Sequence, residues 1–424
     1  MTVPWKALVL LISFSHFVFE SWLTLRQMRA LRETTVPPLL AGKLDQDTVT
    51  KSHSYKQAKA KLSLARGVWG QLINAVIIYF DALPWLWNTT GSLVDGSVLA
   101  VATNTNRSIV FALCYMWFSD CVYLPFRIYD TFVVEDVFGF NRQTPGLFFY
   151  DLIKIQALNS AILAPSLALF LEITARTGKH FALYVWLGAA AVQALVITLD
   201  PILFTPLFIS LRPLSEESRL VHQVQALAAK VGFPLHRMYV SDDSKRSAHS
   251  NAYFYGFPWQ MQIVVQDTLF QKASTNEIVA IITHELGHWK YQHSSKLFLI
   301  QQVNLFVIFL SFAAFAGRSD LYHSFGFHSD TPLIAGFVLF YKVLLPVNSL
   351  LQLLHNAVCR GFEFTADRFA KDSRQGHELA RALISLQAQN LGGVHNDYLY
   401  ACYHHSHPGL VERLSHLGIK QKLK

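Results

Sequence analysis

Seven apolar runs, at about 4–25, 68–86, 108–126, 158–175, 182–212, 297–316 and 332–357, punctuate this chain of 424 residues. Each is long enough for the roughly 17–25 residues with which an α-helix crosses a bilayer. Hydrocarbon offers the backbone no hydrogen-bonding partner, so such a chain must bundle helices wherever it meets lipid. Composition agrees: 52% of the residues are hydrophobic and only 15% are charged, against about 25% charged in soluble domains. The predicted class is mainly α, a polytopic membrane protein with about seven transmembrane helices. The first run lacks a clear small-residue cleavage site and carries Trp5, Lys6 and Glu20, so it reads as an uncleaved helix rather than a signal peptide.

Charge sets the expected orientation. The stretch 26–66 is read as a loop and holds Arg26, Arg29, Arg32, Lys43, Lys51, Lys56, Lys59, Lys61 and Arg66 against few acidic groups. Basic loops stay in the cytosol. The N-terminus and residues 87–107 are then lumenal, which agrees with the sequons at Asn88 and Asn106. The net charge of +8 is accounted for by such loops, so no nucleic-acid partner is expected. Cys114, Cys121, Cys359 and Cys402 form no C-x-x-C pair and read as reduced thiols.

Several runs contain polar residues: Asp200, Gln301, Gln302, Asn304, Lys342, Asn348, Gln352, His355 and Asn356. Such groups are costly in lipid and face a bundle interior or water. They can serve hydrogen bonds between helices, but their number favours a wet chamber. The expected organisation is helices 1–5 over 1–212, a cytosolic subdomain over 213–296, helices 6 and 7 over 297–357, and a cytosolic segment over 358–424.

The cytosolic subdomain reads as a helix near 216–231 ending at Gly232, then short strands around 237–240, 252–255 and 262–266. Ser274-Thr275-Asn276-Glu277 has capping-box form and opens a further helix. That helix carries His284-Glu285-Leu286-Gly287-His288, an H-E-x-x-H. Histidines four apart share one helical face and can grip zinc, with the intervening glutamate as general base. A third ligand is needed. His293 would lie about 140° round a continuous helix from His288. The extended metzincin pattern fails as well, because Tyr291 and Ser294 stand where it needs Gly and His. The best remaining carboxylates are Glu363 and Asp367, four apart on another candidate helix. Glu363 could bind the metal while Asp367 accepts a hydrogen bond from the far nitrogen of a ligand histidine.

These motifs coincide in one family. The sequence resembles the type I CAAX prenyl endopeptidases, integral-membrane gluzincins. The resemblance lies in FVVEDVFGFNRQT (132–144), SKRSAHSNAYFYGF (244–257), NEIVAIITHELGHWK (276–290), LLPVNSLLQLLHNAVCRGFEFTADRFA (344–370) and HSHPGLVERLSHL (405–417). It implies one Zn2+ held by His284, His288 and Glu363, with Glu285 as base. It further implies that Asn251 and His407 hold the peptide and the oxyanion. Arg413 matches a basic position close by, and Trp289 an aromatic that follows the second histidine. Tyr253, on the strand after Asn251, is expected to meet substrate too. His53 and Cys359 depart from the family pattern, where Arg and Ser are expected.

The expected activity is removal of the last three residues of a prenylated CAAX protein by a monomer in the membrane of the endoplasmic reticulum or the inner nuclear membrane, with its site open to the cytosol. A tail from Lys420 to Lys424 fits a dilysine retrieval signal. The alternatives are a related zinc protease of membrane-protein quality control and a non-catalytic translocation or scaffold protein.

Overall fold

The computed structural model describes residues 3–95, 103–257 and 259–419. The dilysine reading of Lys420 to Lys424 therefore falls outside the described residues. The N-terminal half is helical: α1 (Trp5–Ala30), α2 (Gln46–Tyr79), α3 (Ala82–Asp95), α4 (Thr103–Tyr129), α5 (Pro145–Thr177), α6 (Phe181–Leu199) and a single turn, α7 (Thr205–Phe208). Most of the stretch expected as a basic loop is in fact helix, since α2 begins at Gln46. Asp45 caps it by accepting the Thr48 amide. The run 68–86 breaks at Asp81, whose φ of 51° ends α2 and turns the chain into α3. The run 182–212 is shorter as a helix than expected, because α6 gives way at Asp200 to a π-helical segment, Asp200–Phe204.

Among the described residues, five stretches are long and apolar enough to cross a membrane, Trp5–Ala30, Gln46–Tyr79, Asn104–Glu135, Pro145–Phe208 and His293–Phe315, and the bent pair Leu333–Val343 and Leu345–Asp372 makes a sixth if it is one span. The fourth spans 64 residues and contains α5 and α6, which fold back on each other around Gly178. Large apolar side chains such as Leu11, Phe14 and Val18 on α1, and Leu299, Val303 and Val307 farther on, point outward. That is the arrangement expected against lipid tails rather than water.

The small sheet follows: β1 (Leu211–Pro213), β2 (Leu235–Ser241), β3 (Ala252–Phe257) and β4 (Gln260–Gln266). Their order is β1-β2-β4-β3. β2 and β4 run parallel, and the β1–β2 and β3–β4 pairs are antiparallel. β3 is therefore an edge strand. α8 (Arg219–Val231) stops at Gly232, left-handed at φ 77°. α9 (Asp267–Lys272) leads into α10 (Thr275–Lys290). Val224 of α8, Ile263 and Val265 of β4 and Ile278 and Ile282 of α10 form one buried core, which seats α10 on the sheet.

The chain continues through α11 (His293–Phe315), α12 (Ser319–Ser324), α13 (Leu333–Val343), α14 (Leu345–Asp372), α15 (Gly376–Gln389), α16 (Tyr398–His404) and α17 (Leu410–Leu417). α13 and α14 meet at 63°, with Pro346 in the first turn of α14. α14 carries the chain from the bundle to the side of α10.

The polar residues of the apolar runs divide between two uses. Gln302 is buried, bonds to Gln193 and takes the Trp186 indole N–H on its carbonyl, which joins helices. Asn356 donates to the Tyr403 carbonyl and pins α16 to α14. Lys342, by contrast, reaches Asn74, which lines a cavity of about 550 Å³ between α1, α2 and α4. Ser13, His16, Glu20, Arg66 and Gln71 line the same cavity together with Phe17, Leu64 and Leu345, so its wall is of mixed polarity.

Candidate metal centre

α10 starts with a complete capping box. The Ser274 hydroxyl accepts the Glu277 amide, and the Glu277 carboxylate accepts the Ser274 N–H at 2.8 Å. The helix then presents His284 and His288 on one face, with their Nε2 atoms 3.1 Å apart. α14 lies across that face. Gly287 permits the approach, since a Cβ there would sit 3.1 Å from the Ala366 Cα and 3.2 Å from the Phe369 Cβ.

Glu363 of α14 completes the group. Its Oε1 is 3.2 Å from His288 Nε2, and its Oε2 is 3.6 Å from His284 Nε2. Among the described residues, His284, His288 and Glu363 form the one group of three or more such side chains that could hold a metal ion. Tetrahedral zinc at about 2.0–2.1 Å from each ligand implies donors roughly 3.3 Å apart, so the spacing fits. The donor set fits too: two imidazoles and a carboxylate, with Glu363 only 4% exposed. The Glu363 Oε2 is buried and makes no hydrogen bond of good geometry; its cationic neighbour is the Arg413 guanidinium at 3.2 Å, which leaves the oxygen free to face a metal as well.

The far nitrogens are held as firmly as the near ones. His284 Nδ1 lies 2.9 Å from Asp367 Oδ1. His288 Nδ1 lies 3.0 Å from His293 Nδ1, and the His293 ring stacks on Phe362 at 4.1 Å. Arg413 of α17 donates from Nε and Nη2 to Asp367 at 2.9 and 2.6 Å. Its Nη1 sits 3.2 Å from Glu363 Oε2. The donors of Arg413 are thus spent on the two carboxylates.

His407 precedes α17 and places Nδ1 3.0 Å from Glu363 Oε1. The Glu363 carboxylate raises its pKa above the ordinary imidazole value. Its side chain is 68% exposed. Glu285 stands beside His284, His288, Glu363 and Arg413, and burial lifts its carboxyl above the usual range.

Asn251 and Tyr253 lie on or next to edge strand β3, which packs against α10. The Asn251 side chain is exposed and accepts the Ala252 N–H at 2.8 Å. Trp289 packs edge-on to Phe233 at 5.0 Å, within the core under α10. Cys359 lies one turn before Glu363, its Sγ 3.4 Å from His355 Nε2. His53 is buried against His395, ring centroids 5.4 Å apart.

Helical spacing could not find the role of His293. α10 ends at Lys290, and Gln292 takes a left-handed φ of 54°. That turn swings His293 back onto His288, which a continuous helix would forbid. Gly287 was visible inside the motif, but its purpose depends on α14.

A family model described as CAAX prenyl protease N-terminal, five membrane helices, matches residues 27–210. A second, peptidase family M48, matches residues 214–419. The chain belongs to the M48 CAAX prenyl protease family. Among its relatives, the Oryza sativa subsp. japonica protein named CAAX prenyl protease 1 homolog is 38% identical over 98% of each chain. CAAX prenyl protease 1 of Saccharomyces cerevisiae is also 38% identical, over 100% of this chain and 97% of its own. The Homo sapiens homolog is 34% identical, covering 96% of this chain and 94% of its own. The crystal structure of S. mikatae Ste24p superposes with a TM-score of 0.93 at 38% identity, covering 98% of this chain and 99% of that one. The family read from the five sequence stretches is borne out, and with it a multi-pass membrane protease of a metallopeptidase family.

Proposed function

We propose that this protein is a zinc endopeptidase that removes the last three residues of prenylated CAAX proteins. The observation that carries the reading is the spacing of His284, His288 and Glu363 around one point, next to Glu285 and an open edge strand. Zinc bound by those three side chains would lower the pKa of a coordinated water towards about 7 and polarise the scissile carbonyl.

The chain's own residues supply the rest. Glu285 accepts the proton of the attacking water and passes it to the departing amine. His407, 3.0 Å from Glu363, donates to the oxygen on which negative charge develops. Asp367 and His293 keep the two ligand imidazoles in the tautomer whose Nε2 is free for the metal. A peptide pairs with the free edge of β3 through its backbone, beside Asn251 and Tyr253. The prenyl chain stays on apolar surface and contributes binding rather than chemistry.

From the basic groups at 26–66 we place the site on the cytosolic side, and from the family resemblance we place the protein in the endoplasmic-reticulum membrane. The test is incubation of the purified protein, with and without zinc, with a farnesylated C-terminal peptide and its unprenylated twin. Zinc-dependent release of the C-terminal tripeptide is expected from the farnesylated form, with the unprenylated twin cut more weakly, chiefly through lower apparent affinity. Equal cleavage of unprenylated peptides of arbitrary sequence would replace this reading with membrane-protein quality control.

A further inference from the structure

Asn390 caps the C-terminal end of α15, far from the histidines in sequence. Its side chain grips both backbone groups of Ser250. Its Oδ1 accepts the Ser250 N–H at 3.0 Å, and its Nδ2 donates to the Ser250 carbonyl at 3.2 Å. A strand neighbour would make the same pair of bonds. Ser250 immediately precedes Asn251, whose carbonyl accepts the Gln266 N–H at 3.1 Å and so opens the pairing of β3 with β4.

The surroundings reinforce this clamp. His249 stacks on Phe140 at 4.0 Å and places Nε2 3.3 Å from Glu135 Oε2. Leu391, next to Asn390, is buried yet adopts a left-handed φ of 46°. A leucine keeps that conformation only where packing over-determines it, here against Tyr55, Val134 and Phe140. Strain of this kind tends to mark functional positions.

We propose that Asn390 is a positioning residue for the peptide. It acts through Ser250 to fix the direction of Asn251 and the register of the β3 edge. The proposal rests on the reading of Asn251 as a substrate contact. Among the described residues, the Asn251 side chain bonds only to its neighbour's N–H, so its direction follows the backbone that Asn390 holds. α15 follows directly on α14, which carries Glu363. The clamp therefore ties the edge that receives the peptide to the helices that carry the metal ligand.

A double-mutant cycle in the purified full-length protein tests this. Asn390→Ala should keep stoichiometric zinc and lower kcat/KM for the farnesylated peptide about tenfold, the worth of roughly one hydrogen bond. The loss should fall mostly on KM. On the Asn251→Ala background the same change should cost less than about twofold, because the residue it serves is gone. Asn390→Asp retains the acceptor for the Ser250 N–H and should lose less. It carries the cycle if the alanine variant does not fold. Additive losses, or an Asn251→Ala variant with full activity, would overturn the proposal. If the wild type cuts only unprenylated peptides, the CAAX reading fails, and the cycle is read on those peptides instead.

Discussion

His284 and Asp367 meet at 2.9 Å, Nδ1 to Oδ1, and Asp367 is itself held by two donors of Arg413. The imidazole is thereby fixed in the tautomer that turns Nε2 towards Glu363. Asp367→Ala should weaken zinc binding or activity about 10–100-fold without abolishing either. Zinc affinity measured by competition with a chromogenic chelator checks this, and an unchanged affinity and rate would remove Asp367 from the site.

Glu285→Gln separates binding from chemistry. The ligand set is untouched, so zinc content by elemental analysis should stay at one per chain. Turnover should fall by at least about 10²–10⁴, the usual worth of a general base. Glu363→Ala should instead lose the metal. Stoichiometric zinc with full activity in Glu363→Ala would exclude it as a ligand.

His293→Phe keeps a ring to stack on Phe362 but removes the nitrogen that meets His288. Zinc affinity should drop about tenfold or more while the melting temperature changes little. An unaltered affinity would reduce His293 to packing.

Gly287→Ala adds a methyl where backbone and side-chain atoms of α14 lie 3.1–3.2 Å away. α10 and α14 must part by a few tenths of an ångström, which spreads the histidines from Glu363. Overpacking of this sort costs about 1–3 kcal/mol. Weaker zinc binding, seen as faster loss to a chelator, is expected; a variant that holds zinc as tightly as wild type would contradict the close approach.

The metal-free protein should show a pH signature at Glu285. Its carboxyl pKa is raised in the fold by burial, so the neutral form is favoured there. The associated stability is present at acid pH, below the unfolded glutamate pKa, and is lost as pH rises through the folded value. Glu285→Gln cannot ionise. It should therefore melt higher than metal-free wild type at neutral pH and at the same temperature near pH 4. Thermal scans of both metal-free proteins at the two pH values decide it; equal melting points at neutral pH would show that Glu285 ionises freely.

Much of this protein was legible in its sequence because the relevant physics is local. Apolar length dictates membrane helices. The Ser274–Glu277 box and Gly232 mark helix ends through backbone groups only a few residues away. The spacing of His284, Glu285 and His288 follows from helical pitch alone. Tertiary structure decided what depends on segments far apart in the chain. Asp81 and Asp200 broke apolar runs that composition could not divide, since hydropathy averages over a turn. The place of His293 depended on a single left-handed residue, Gln292. The purpose of Gly287 appeared only with α14 against it, and Asn390 gains its meaning from a strand about 140 residues earlier in the chain. Burial, close approach and two-sided hydrogen bonding are properties of pairs of elements, and a linear pattern carries no term for them.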